Sequence, residues 1–291
     1  MAGTNANPVV TDHEMAELRT LIEERSGVHL DDSRERFLTA RVREHMEEQR
    51  LAHGTDLLRR IRSSNVEYDM LLERLLTQET RFFRYPEIFK AFEGKVLPEQ
   101  HMKKFWESPR ALRIWSAGCA TGEEPYSIAI GICESLAFAE AWNINVLATD
   151  ISRRALAFAE RGLYPKRALE GVSPQLLENY FTRQGELYEV KPRLRDLVNF
   201  AQVNLAQSVY MGRFDVIFCM NVLIYFTDER RAALVQRFYE YLEPGGYLLL
   251  GHAEAVASLP VKFQTVMADG ARLLQKPMNV PAEPSTGEAQ R

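Results

Sequence analysis

The chain has 291 residues, 46% of them hydrophobic and 26% charged, with a formal net charge of −4 at pH 7. That balance suits a folded globular protein of one large domain or two smaller ones, and its acidity gives no nucleic-acid signature for the whole molecule. No apolar run approaches the roughly 18 residues of a membrane span, and the first eight residues lack the basic-then-apolar pattern of a secretory leader. Three scattered cysteines, Cys119, Cys133 and Cys219, read as small hydrophobes in a reducing cytoplasm rather than as a disulfide frame. The six histidines show no HxH or HxxxH spacing, so no metal site is expected. The first predicted helix opens on a capping box, Thr11 with Glu14, carries Met15, Leu18, Leu21 and Ile22, and stops at Gly27. A second is predicted from Ser33 to Leu51, burying Phe37, Ala40 and Val42, with Gly54 closing it. Two shorter helices follow over 55–63 and 66–76. No strand signal precedes Leu112, so residues 11–77 are expected to form a helical domain, with 78–109 a linker helix that reaches the active site.

After Pro109 the pattern alternates. Strands are predicted over 112–117, 144–149, 197–203, 214–219, 246–251, 262–268 and 271–275, and helices over 123–138, 152–161 and 228–242. This βαβ alternation implies an α/β domain over 110–276, with a mainly parallel sheet covered by helices on both faces. Pro244-Gly245-Gly246 reads as a turn feeding the strand that follows. Residues 163–196 interrupt the alternation with a helical piece (Ser173 to Phe181) and a short strand (Leu187 to Val190), and are read as an inserted subdomain. The segment 277–291 is rich in Pro, Glu, Ser and Gly and is expected to be disordered.

The most informative stretch is Trp115-Ser116-Ala117-Gly118-Cys119-Ala120-Thr121-Gly122-Glu123-Glu124. A strand enters a glycine turn and a helix leaves it, an arrangement that lets backbone approach a ligand closely. The two acids after the turn would repel a phosphate and welcome a cation, such as the sulfonium amino acid S-adenosylmethionine. The GxxxG spacing departs from the GxGxxG of nicotinamide sites, and no Lys-Ser/Thr follows for a P-loop. Asp150, Asn204-Leu205 and Met220-Asn221-Val222 follow other strands at their carboxyl ends, where ligands of open α/β sheets bind. Asp150 suits a pair of ribose hydroxyls.

The segment Gly118-Cys119-Ala120-Thr121-Gly122-Glu123-Glu124-Pro125-Tyr126-Ser127 resembles the signature of the CheR-type chemotaxis receptor methyltransferases, which are protein-glutamate O-methyltransferases. Thr80-Arg81-Phe82-Phe83-Arg84 resembles their N-x-T-x-F-F-R element, Phe214 to Phe226 their fourth-strand motif, and Gly251-His252-Ala253-Glu254 their G-H-S/A-E motif. The resemblance covers residues 12–276. It implies an all-α N-terminal domain, then a Rossmann-like class I methyltransferase domain with a small β-subdomain insertion. It also implies S-adenosylmethionine as cofactor, S-adenosylhomocysteine as product, and the cytoplasmic helical domain of methyl-accepting receptors as partner. No nucleic acid and no direct membrane insertion are expected, and a monomer is.

The resemblance puts Gln78, Thr80, Arg84, Glu124, Asp150, Asn204, Leu205, Met220, Asn221 and Val222 around the cofactor. Glu124 complements the ammonium of its methionine part, and Asn204 and Leu205 flank the adenine. Two positions depart from the family: Gln78 stands where Asn is common, leaving its contact open, and Met220 where many relatives have Arg. A glutamate substrate, with a reference pKa of about 4.3, is already an anionic nucleophile, so no general base is required. Arg84 and Tyr225 are the candidates for holding the substrate carboxylate, against readings of an interdomain ion pair and a packed aromatic. Phe82 and Phe83 read as packing residues, and His252 as a structural hydrogen-bonding group.

Residues 34–62 hold eight arginines and five acids. Arg36, Arg43 and Arg50 recur every seven residues and, with Arg41, are candidates for docking an acidic receptor; a solvated, salt-bridged helix is the competing reading. The turn Phe181 to Tyr188 lacks the Gly-x-Gly loop with which many relatives capture a peptide at the receptor C-terminus, so independence of such a tether is expected. Two other functions stand as alternatives: a non-catalytic cofactor-binding regulator, and a methyltransferase of another class. A DNA amino-methyltransferase is disfavoured because Asn221-Val222-Leu223-Ile224 lacks the two prolines of its motif.

Overall fold

The computed structural model describes residues 8–31, 35–136, 138–207, 211–254 and 261–278. Ser33 and residues 279–291 of the expected tail lie outside the described residues. Four helices come first: α1 (Asp12–Ser26), α2 (Glu35–Glu48), α3 (Gly54–Ser63) and α4 (Asn65–Leu75). The capping box of Thr11 and Glu14 is formed, and Gly27 ends α1 in the left-handed region at φ 81. Leu18, Ile22, Leu38, Val42, Met46, Leu57, Ile61 and Leu71 make the core of this unit.

Three details of α2 correct the expectation. It stops at Glu48, where Arg50 takes the left-handed turn (φ 54) and Leu51 N–H closes on Met46 O at 2.8 Å. Gly54 therefore opens α3 instead of ending α2. The buried face is Leu38, Val42, His45 and Met46; Ala40 is exposed and Phe37 half-buried. Arg36 and Arg43 share a helix, whereas Arg50 lies beyond its end.

A nearly continuous helical run follows: α5 (Pro86–Ala91), a π turn (Phe92–Val96) and α6 (Leu97–Lys104). It is pinned beneath the sheet by Lys104, whose Nζ meets Asp215 Oδ2 and Ala111 O, each at 2.7 Å. Next come β1 (Ala111–Ala117), α7 (Glu123–Ser135), β2 (Asn143–Asp150), α8 (Arg153–Arg161), β3 (Leu163–Pro165), α9 (Pro174–Tyr180), β4 (Phe181–Gln184), β5 (Leu187–Val190) and α10 (Pro192–Arg195). The chain continues through β6 (Val198–Gln202), β7 (Phe214–Cys219), α11 (Asp228–Tyr241), β8 (Leu242–Leu250), β9 (Gln264–Ala268) and β10 (Ala271–Gln275). The main sheet has the order β6-β2-β1-β7-β8-β10-β9. Its first five strands are parallel, and β10 is antiparallel to both neighbours. Every residue of β7 is buried, as a central strand covered on both faces requires.

The insertion is a three-stranded antiparallel sheet, β3-β5-β4, packed with α9. Its partners were not all visible in the sequence: β3 and β4 are too short to show an alternation. Pro244-Gly245-Gly246 is no separate turn. It is an irregularity within β8, which pairs with β7 on both sides of it. Helix α7 ends at Ser135, short of the expected 138. Among the described residues no helix is long and apolar enough to cross a membrane.

Candidate active site

The site lies beyond the carboxyl ends of β1, β2, β6 and β7, where the strand order reverses beside β1. After Ala117 the chain turns through Gly118 (φ 86), Ala120 (φ 47) and Gly122 (φ 96). Gly118 and Cys119 donate backbone N–H bonds to Thr149 O at 2.8 and 2.9 Å, holding the turn against β2. Glycine is required at 118 on two counts: the positive φ, and a Cβ that would fall 2.3 Å from Val222 Cγ2.

The two acids of the turn diverge. Glu124 lines a cavity, with Oε1 accepting from Ser116 Oγ at 2.7 Å. Glu123 is also buried, but its Oε2 accepts from Thr121 Oγ1 at 2.7 Å and it is not part of the cavity wall. One carboxylate, not two, faces a ligand. Burial pushes the Glu124 carboxyl up to about 8, against the pull of the Ser116 hydrogen bond and the Arg84 charge. Its ionisation is therefore linked to binding of a cation. Below that value, an ammonium must first displace the proton; above it, the carboxylate is ready. Affinity for S-adenosylmethionine is expected to rise with pH between 6 and 8, by up to about tenfold per unit, and then level off. Calorimetry across this range checks it; a flat profile would place the ammonium elsewhere. The same burial costs the empty protein stability as pH rises from 4.5 towards about 8.

Asp150 closes β2. Its Oδ2 accepts from Ala120 N at 2.9 Å and its Oδ1 from Ser152 N at 2.8 Å, tying the ribose-site candidate to the glycine turn. Burial pushes its carboxyl up, while these two backbone donors pull it down. Behind it, Glu73 of α4 accepts from Ser152 Oγ at 2.5 Å and from Arg154 N at 3.1 Å. The helical unit thus supports the site from below.

Asn221 holds φ 61, and its Oδ1 is buried with no hydrogen-bond partner among the described residues. Such an orphaned acceptor is costly unless something supplies a donor. A residue not assigned from sequence fixes this loop. Glu254, 2% exposed, accepts from the N–H groups of Asn221 (2.8 Å), Val222 (2.6 Å), Leu223 (2.7 Å) and Gly251 (2.8 Å). Its only signal was the last position of Gly251-His252-Ala253-Glu254. Glu254→Gln puts an amide NH2 against backbone donors and is expected to weaken cofactor binding about tenfold, since an unpaired buried polar group costs about 1–3 kcal/mol. Calorimetry beside a thermal melt checks it; unchanged affinity would mean that the loop holds without the carboxylate.

Gln78, Thr80, Arg84, Leu205, Met220, Val222 and Tyr225 line the same cavity, as do Asn204 and Asn221. Every cofactor-site and catalytic candidate thus shares one wall system. Arg84 sits between two left-handed residues, Phe83 (φ 51) and Tyr85 (φ 64). Phe83 N–H is held by Ser127 Oγ at 2.9 Å, Arg84 Nη1 donates to Glu79 O at 2.6 Å, and the guanidinium lies 5.5 Å from the Tyr85 ring centre. Asn204 differs from expectation in one respect: its amide is engaged by protein, Nδ2 donating to Arg25 O at 2.8 Å and Oδ1 accepting from Ala206 N at 2.9 Å. Phe82 is buried, edge-on to Tyr164 and Phe181, and His252 pairs with Glu87 at 2.6 Å, both outside the cavity.

The cavity also takes Ser26 and Val28, from the end of α1. Their place is fixed by His29 N–H donating to Tyr225 O at 2.7 Å and by Arg230 donating to Glu23 O at 2.7 Å. Arg36, Arg41, Arg43 and Arg50 lie outside the cavity and are exposed; Arg41 pairs with Glu44 at 2.7 Å. The Cys119 thiol is pushed well up by burial, so it offers no nucleophile.

One acid for an ammonium, one for hydroxyls, an orphaned amide acceptor and a glycine cradle fit S-adenosylmethionine. Comparisons with known proteins agree. Residues 78–271 match a family model described as "CheR methyltransferase, SAM binding domain", and residues 13–76 one described as "CheR methyltransferase, all-alpha domain". Chemotaxis protein methyltransferase 1 of Pseudomonas aeruginosa is 35% identical over 85% of this chain and 92% of its own length. The chemotaxis protein methyltransferase of Vibrio parahaemolyticus is 35% identical over 88% and 94%, and Cher2 of Pseudomonas putida 32% identical over 90% and 97%. The chain therefore belongs to the CheR methyltransferase family and is an S-adenosylmethionine-dependent methyltransferase.

Proposed function

We propose that the protein methylates glutamate side chains of chemotaxis-type receptors, forming glutamate methyl esters in sensory adaptation. The observation that carries this reading is Arg84, on the cavity wall with Tyr225, where a planar guanidinium can meet a carboxylate. Such a substrate is already anionic at neutral pH and needs no general base. The names of the relatives support the chemotaxis setting.

When bound, S-adenosylmethionine supplies an electrophilic methyl on a sulfonium and is left as S-adenosylhomocysteine once a carboxylate oxygen has taken that methyl. The chain's own residues do the positioning. Glu124 holds the ammonium and Asp150 the ribose, while Asn221 offers Oδ1 to a donor. Arg84 presents a planar fork suited to the substrate carboxylate, and Tyr225, on the same cavity wall, is the second group assigned to it. The contribution is alignment of reacting atoms, not proton transfer.

Receptor docking is assigned to Arg36, Arg41, Arg43 and Arg50, whose exposure supports it. Independence of a tethering peptide is supported by the β4–β5 hairpin, which closes through only Gly185 and Glu186. Incubation with labelled S-adenosylmethionine and a receptor cytoplasmic fragment tests the reading. Base-labile label on glutamate is expected; cofactor binding with no transfer to any cognate receptor would sink it. Calorimetry against receptor C-terminal peptides tests tether independence, and micromolar binding would overturn that part.

A further inference from the structure

On the other side of the Arg81–Arg84 segment lies a groove between α5 and the inserted subdomain. Arg81 borders both it and the cofactor cavity. Phe83 and Lys90 continue one wall, and Arg167 and Leu176 form the other. The walls are fixed to each other at Phe82. Its N–H approaches Ala168 O at 3.5 Å, and a Cβ on Gly171 would come 2.8 Å from Phe82 O. The groove is thus held in register with Arg84.

Its charge is positive. Arg81, Lys90 and Arg167 are all exposed. Of the acids, Glu170 sits exposed, whereas Glu93 turns towards α7: a Cβ on Gly131 would fall 3.0 Å from its Oε1. Three exposed cations therefore face one exposed acid and the half-buried Glu93, in a chain whose net charge is −4. The basic character is local, which is the pattern of a surface matched to an acidic partner. The apolar Phe83 and Leu176 beside the cations suit an amphipathic segment.

We propose that this groove binds an acidic stretch of the substrate protein next to the carboxylate presented at Arg84. The inference rests on the protein-glutamate reading and adds to it a second contact surface, which none of the docking arginines borders. Such a contact would supply local affinity to an enzyme that lacks a tether.

Neither Lys90 nor Arg167 lines the cofactor cavity, so both can be changed without touching the chemistry. In the full-length protein, Lys90→Glu and Arg167→Glu are each expected to raise KM for a receptor cytoplasmic fragment about fivefold, and more together. The kcat and the cofactor Kd should stay unchanged, and the effect should shrink as salt rises towards roughly 0.5 M, as for exposed charges. Lys90→Arg should restore the wild-type KM. Binding of the same fragment, followed by fluorescence anisotropy without cofactor, reads the groove separately from transfer. Weakening in the double variant supports the proposal. Unchanged binding, or no binding by wild type, overturns it. Failure of wild type to transfer methyl to a fragment that it binds through the groove would instead strike the protein-glutamate reading.

Discussion

Asp150→Ala is expected to raise the Kd for S-adenosylmethionine about 30- to 100-fold, with little change in kcat once cofactor is saturating. Hydrogen bonds to a charged acceptor contribute about 1.5–3 kcal/mol each, which sets that scale. Two losses combine. The bound ligand loses its acceptor for ribose hydroxyls, and the empty site loses the anchor of Ala120 and Ser152, whose N–H groups Asp150 holds at 2.9 and 2.8 Å. Asp150→Asn separates them, because one amide oxygen can still accept from the turn while the charge is gone. Calorimetry of both variants checks this, and a change below about threefold in Asp150→Ala would remove the ribose role.

Arg84→Ala should behave differently, lowering kcat about 100-fold at saturating cofactor. A misplaced reactant costs a rate factor of that order even when the chemistry is intact. Arg84→Lys is not expected to recover the loss, since an ammonium cannot offer the guanidinium's two parallel donors. Loss of the cation also removes one influence holding the Glu124 carboxyl down, so cofactor affinity should fall modestly, and most at low pH. Single-turnover methyl transfer separates the two effects. Normal turnover by Arg84→Ala would take it off the catalytic wall.

Much of this was legible because it is local. The capping box at Thr11, the alternating strands and the glycine turn each follow from a few consecutive residues, and the CheR resemblance marked the cavity positions. What was not legible depends on residues far apart in the chain. Nothing in Glu123-Glu124 says that the pair will part, because helix geometry sends neighbouring side chains in different directions. Glu254 looked like one more polar residue after a strand until four N–H groups closed on it. The extent of α2 was misjudged for a simpler reason. The helix ends where Arg50 adopts a conformation usually left to Gly or Asn, and no side-chain pattern announces that. The strand through Pro244 was hidden likewise, since residues that normally break a strand serve here as an irregularity inside one.

The meeting of α1 with the cofactor cavity has an evolutionary consequence. Because Ser26 and Val28 belong to the wall, and Arg25 O receives the Asn204 amide, the helical unit is not an interchangeable targeting module clipped to a self-sufficient enzyme. Swapping residues 13–76 for those of a relative would import foreign atoms into the wall of this cavity. Changes in α1 and changes in the cavity wall must therefore drift together, and a graft of the helical unit would need matched changes around Asn204, Tyr225 and Arg230 to preserve the cavity.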